Sequence, residues 1–68
     1  MNTLERRTFA AALRAAKRNT YCQAVGGFVI VRMSDGSIDW FPLGQPPHRG
    51  AVILGKWRWN YRRWSRVA

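Results

Sequence analysis

Sixty-eight residues make one small domain at most, near the lower limit at which a single core holds without help. Apolar residues form 47% of the chain, which excludes wholesale disorder, and twelve Lys and Arg against three acids give a net charge of +9. That balance draws nucleic acid, anionic lipid or an acidic protein surface. Ten of the twelve bases are Arg, which forks onto phosphates and stacks on bases better than Lys does. A chain this short buries only ~60% of the surface that its unfolded form exposes, so a homodimer or a larger partner is a natural supplement. Cys22 stands alone, which removes any internal disulfide or cysteine zinc site and suits a reducing cytoplasm. The longest apolar runs, such as 51–54, are far too short to span a bilayer.

The pattern predicts a single α+β domain over 1–68, beginning with an amphipathic helix at about 3–18. Asn2 can cap it, and Glu5 can reach back to complete a capping box. At ~100° per residue, Leu4, Thr8, Phe9, Ala11, Ala12, Leu13, Ala15 and Ala16 share one broad face, and Arg6, Arg7, Arg14, Lys17 and Arg18 fill the remaining arc. The same Arg-rich, acid-poor segment also reads as a mitochondrial presequence. Removing it would leave a sheet with little to cover it, so a structural helix is the expectation. Asn19-Thr20 and Gly26-Gly27 then release the chain from helical geometry.

A β-hairpin is expected at about 28–41, with Asp35-Gly36 as a two-residue type I′ turn. In that register Arg32 faces Asp39 and Val31 faces Trp40. Val29, Val31, Met33, Ile38 and Trp40 then share the face beneath the helix, and Phe28, Ile30, Arg32 and Phe41 share the other. A loop over 42–50 contains Pro46-Pro47. The third strand is expected at about 51–61, with Lys56, Arg58 and Asn60 pointing one way and Trp57, Trp59 and Tyr61 the other. Residues 62–68 form a basic tail, either a helical turn or irregular. The whole reads as one helix packed on a three-stranded antiparallel sheet, α-β-β-β.

The run KWRWNYRRWSR, from Lys56 to Arg66, carries five of the twelve bases and three of the four tryptophans without an acid among them. Cations attract a polyanion, and flat aromatics stack on bases or anchor an interface. The expected nucleic-acid-binding set is Arg14, Lys17, Arg18, Arg32, Lys56, Arg58, Arg62, Arg63 and Arg66 for phosphates, with Phe41 and Trp64 for stacking. Each has a plainer alternative. The Trp57, Trp59, Tyr61 row can equally fill the core, Phe28, Ile30 and Phe41 can form a dimer interface, and the basic helix arc can be a solvated surface.

Catalysis finds little support. Glu5 is assigned to the helix start, Asp35 to the turn and Asp39 to Arg32, which leaves no carboxylate pair for acid–base work or a magnesium site. His48 is a lone loop histidine, Cys22 reads as a small buried hydrophobe, and no metal or cofactor motif is present. No motif in the chain is specific to a known family. The expected function is therefore a small nucleic-acid-binding protein of unspecified strand type, of the kind that phages and plasmids carry as accessory factors. The alternative is an inhibitor or adaptor that docks its Trp/Arg segment on an acidic surface of a host protein. Membrane attachment ranks below both, since the helix has only Leu4, Phe9 and Leu13 as bulky anchors.

Overall fold

A computed structural model describes residues 1–45 and 49–68. The expected Pro46-Pro47 bend and His48 lie outside the described residues. Helix α1 spans Thr3–Arg18, as its periodicity predicts, and Asn2 Oδ1 caps it by accepting from the Glu5 N–H at 2.8 Å. The buried stripe is narrower than the apolar arc of the sequence. Phe9, Ala12, Leu13 and Ala16, spaced i, i+3, i+4 and i+7, face the sheet, whereas Leu4 is 72% exposed. A short second helix, α2 at Thr20–Ala24, takes Asn19 as its cap and seals Cys22 into the core, where burial pushes the thiol pKa up. The sequence reading released the chain at Asn19-Thr20. Asn19 instead closes one helix and opens the next, because its backbone is extended and its side chain accepts from Cys22 N–H.

Four strands follow: β1 Gly27–Arg32, β2 Ile38–Pro42, β3 Val52–Asn60 and β4 Arg63–Arg66. The sheet is antiparallel with order β2-β1-β3-β4, so the expected three strands are extended by a fourth built from the basic tail. Both edge strands are short, and β4 carries an arginine at each end, which discourages pairing with another chain.

The first hairpin is shifted by one residue from the expected register. Ile30 faces Trp40, Val31 faces Asp39 and Arg32 faces Ile38. The reason lies in the turn. Gly36 N–H donates to Met33 O at 2.9 Å, Met33 N–H donates to Ser37 O at 2.7 Å, and Gly36 has φ +89° while Asp35 does not enter the left-handed region. A type I′ turn needs positive φ at both central residues. The chain uses a three-residue loop, Ser34-Asp35-Gly36, with the glycine in the left-handed position. Asp35 Oδ1 fixes it by accepting from Ser37 Oγ at 2.6 Å and Ser37 N–H at 2.9 Å.

One residue of slip exchanges the faces of β1. Phe28 and Ile30 lie under the helix and are fully buried with Ile38 and Trp57, while Val29 and Val31 turn to the far side. The expected Arg32–Asp39 pair is absent. Arg32 now faces the helix and its guanidinium donates to Glu5 Oε2 at 2.7 Å, which draws Glu5 away from the capping box. Partly exposed, that pair contributes up to about 1 kcal/mol. Trp40 lies on the helix side, as expected, and Trp57 joins it there.

Strand β3 bulges between its pairings of Ile53 with Val31 and Gly55 with Ile30, leaving Leu54 unpaired on β1. Arg66 Nη2 donates to the Leu54 carbonyl at 3.0 Å, and its guanidinium stacks on the Trp57 ring at 5.0 Å. The Trp57 ring lies over Gly55, where a Cβ would come within 2.8 Å of the indole. Phe28 stacks on Trp57 at 5.3 Å and meets Trp64 edge-on at 4.8 Å. Together with Phe9 of α1, whose ring lies 6.0 Å from that of Trp57, these rings complete the core.

Candidate nucleic-acid interface

The register gathers the acids at one end of the sheet. Glu5 is bonded to Arg32, the last residue of β1; Asp35 lies in the loop that follows; Asp39 pairs with Val31. All three carboxylates of the chain therefore sit at the C-terminal end of β1. At the opposite end Arg58 pairs with Gly27, Asn60 pairs with Arg63, and the β3–β4 turn projects Tyr61 and Arg62. The C-terminus of α1 arrives at this same end, because Trp64 Nε1 donates to the Lys17 carbonyl at 3.2 Å.

Lys17, Arg18, Arg58, Arg62 and Arg63 thus surround an end without a carboxylate. All five are exposed, and among the described residues none of their side chains makes a hydrogen bond or ion pair. Five unneutralised cations raise the potential there, and an approaching polyanion releases counterions by covering them.

The turn itself is unusual. Tyr61 has φ +55° and is the only non-glycine residue in the left-handed region among those described. Asn60 and Arg63 face each other across a two-residue loop, with positive φ at its first position and negative φ at its second. Arg62 N–H donates to the Asn60 carbonyl, an i→i+2 bond that with the positive φ makes a γ-turn centred on Tyr61, in the rare and strained positive-φ form. A bulky side chain there costs about 1–3 kcal/mol. Its ring is also 92% exposed, so packing does not return that cost. Beside it lies a solvent-open depression of about 380 Å³ lined by Gln23, Gly26, Trp59, Asn60 and Tyr61. Gly26 holds the rim by accepting from Trp59 N–H at 3.0 Å.

The sequence-derived set is only partly gathered at this end. Arg58, Arg62 and Arg63 are there, with Lys17 and Arg18; Arg14 lies one turn back along the exposed side of α1, and Lys56 lies opposite Val29 on the far face of the sheet. Arg32 and Arg66 belong to the scaffold, the first held by Glu5 and the second by Leu54, Ala68 and Trp57. Phe41 is half-buried opposite Val29, and Trp64 is half-buried against Phe28 and Trp59, so neither presents a free ring. Nor does the far face hold all the residues that the sequence assigns to it. Phe28, Ile30 and Arg32 face the helix instead, and Val29 and Val31 on the far side are buried.

Sequence reasoning missed Tyr61, Gln23 and Asn60. Alternation alone groups Tyr61 with the core row of Trp57 and Trp59. The available signal was Asn60 itself, a turn-forming residue between two basic aromatic runs. Among the described residues no three His, Cys, Asp or Glu side chains converge on a point, and no helix is long and apolar enough to cross a membrane. A scan against protein-family models finds no match, and searches of curated proteins and of solved structures find none either.

Proposed function

We propose that this protein binds nucleic acid through the acid-free end of its sheet. The observation that carries the reading is where the acids lie: all three side-chain carboxylates sit at one end of the sheet, and the other end holds five cations, unpaired among the described residues, around an exposed, strained tyrosine. Arg58, Arg62 and Arg63 supply phosphate contacts, Lys17 and Arg18 extend the field, and Tyr61 adds an aromatic face. The role is that of a binding protein rather than an enzyme.

The test is a titration of labelled single- and double-stranded DNA and RNA at several salt concentrations. Each phosphate contact contributes about −0.9 on duplex DNA, or about −0.7 on a single strand, to the slope of log affinity against log salt. Replacing Arg58, Arg62 and Arg63 together by Ala should flatten that slope by about 2 on a single strand, or about 3 on a duplex, and weaken binding to all sequences alike. Replacing Arg6 and Arg7, at the other end of α1, should change it little. Equal losses from both variants would mean that only total charge matters. Weak binding to all four nucleic acids, gone by physiological salt, would replace this reading with docking on an acidic protein surface.

A further inference from the structure

We propose, resting on the reading above, that the depression beside Tyr61 takes one unpaired nucleobase, which makes the protein selective for single-stranded or looped nucleic acid over continuous duplex. The lining residues divide the work that such a ligand needs. Trp59 is half-exposed and Tyr61 almost wholly so, and both rings border the depression. An aromatic face of this kind stacks on any base, since every base has a π-face. Gln23 and Asn60 border it too, and neither side-chain amide makes a hydrogen bond among the described residues. Each amide offers donors and an acceptor, the complement of a base edge that is no longer engaged in pairing. Gly26 contributes backbone without a side chain to the lining.

The surroundings fit the same occupant. A base entering the depression would carry its sugar and phosphate along the hairpin end, where Arg58, Arg62 and Arg63 adjoin the lining residues Trp59, Asn60 and Tyr61 in sequence or by pairing. At about 380 Å³ the space lies in the range of small-ligand sites, ~300–1,000 Å³. A paired base cannot enter without being unstacked and flipped, whereas an unpaired base enters at little cost. The left-handed backbone at Tyr61 then has a purpose. It turns the ring outward from the strand row and holds it at the rim, an instance of strain retained where a ligand is met.

The experiment compares four probes of equal length at one salt concentration: a single-stranded DNA, the matching RNA, the same DNA strand with abasic positions, and the duplex. The intact single strands should bind about tenfold or more tightly than the abasic strand, with the duplex also weaker. The DNA and RNA arms report which sugar the site prefers. Tyr61→Ala should bring the intact strands down to the abasic value without altering the salt slope, and Gln23→Ala should lower affinity for the intact strand only. Salt-dependent binding that is equal for intact and abasic strands would overturn the base pocket while leaving the electrostatic reading standing. Binding to none of the four probes would overturn both.

Discussion

The β1–β2 hairpin closes through Ser34-Asp35-Gly36, with glycine at the left-handed position and Asp35 tied to Ser37. The β3–β4 hairpin closes through Tyr61-Arg62, with a bulky aromatic at the left-handed position and, among the described residues, no acid bonded to the turn. Both turns join antiparallel strands of one sheet. The first uses residues that suit its backbone; the second holds one that opposes it. A small domain with little stability to spare gains nothing for folding from such a choice. The contrast marks the second tip as the place where another requirement overrides local preference.

The largest effect should come from removing the foundation of the second hairpin. Trp57 is buried between Phe28, Phe9 and Arg66, so Trp57→Ala should cost about 3–5 kcal/mol and leave the chain largely unfolded. Trp40→Ala, at a half-buried site in the first hairpin, should cost less. Urea denaturation followed by circular dichroism checks both, and similar losses would mean that the two hairpins share the core equally.

A pair of opposite substitutions sharpens the comparison. Gly36→Ala forces an L side chain into the left-handed region with open space around it, and should destabilise by about 1 kcal/mol. Tyr61→Gly relieves the same conformation. The gain is offset in part by the freer unfolded chain, for a net stabilisation of up to about 1 kcal/mol. The urea midpoints should move in opposite directions. If Tyr61→Gly is destabilising instead, the ring holds the fold and its exposure is incidental.

The smallest effect concerns pH. Hydrogen bonds from the Ser37 hydroxyl, and then from its backbone N–H, hold the Asp35 carboxyl below its usual range. A group whose folded pKa is lowered contributes stability above its unfolded value, ~3.9, and loses it as pH falls through the folded value. The first hairpin should therefore weaken slightly on acidification from about pH 5 to about pH 2, and Asp35→Asn should flatten that dependence. The second turn has no carboxylate to titrate. Identical acid profiles for wild type and Asp35→Asn would remove this contribution.

Much of the scaffold is legible in the sequence. The stripe of Phe9, Ala12, Leu13 and Ala16 and the Asn2 cap read as a helix over Thr3–Arg18, and the alternation around Asp35-Gly36 reads as a hairpin. The site is legible only in part. Arg58, Arg62 and Arg63 stand out as cations within an aromatic run, but nothing linear separates them from Arg66, which serves the Leu54 carbonyl and the Trp57 ring. Periodicity and capping depend on neighbours a few residues apart, so the chain by itself determined its helix, its first hairpin and its surplus of positive charge. Register, the fourth strand and the gathering of the acids at one end of the sheet depend on contacts between distant segments. A three-residue loop in place of a two-residue turn exchanged the faces of β1, drew Glu5 to Arg32 across twenty-seven positions, and left the opposite end of the sheet to the cations and Tyr61. Only the tertiary structure decided that, because strand pairing sets which charges become neighbours and which are left without one.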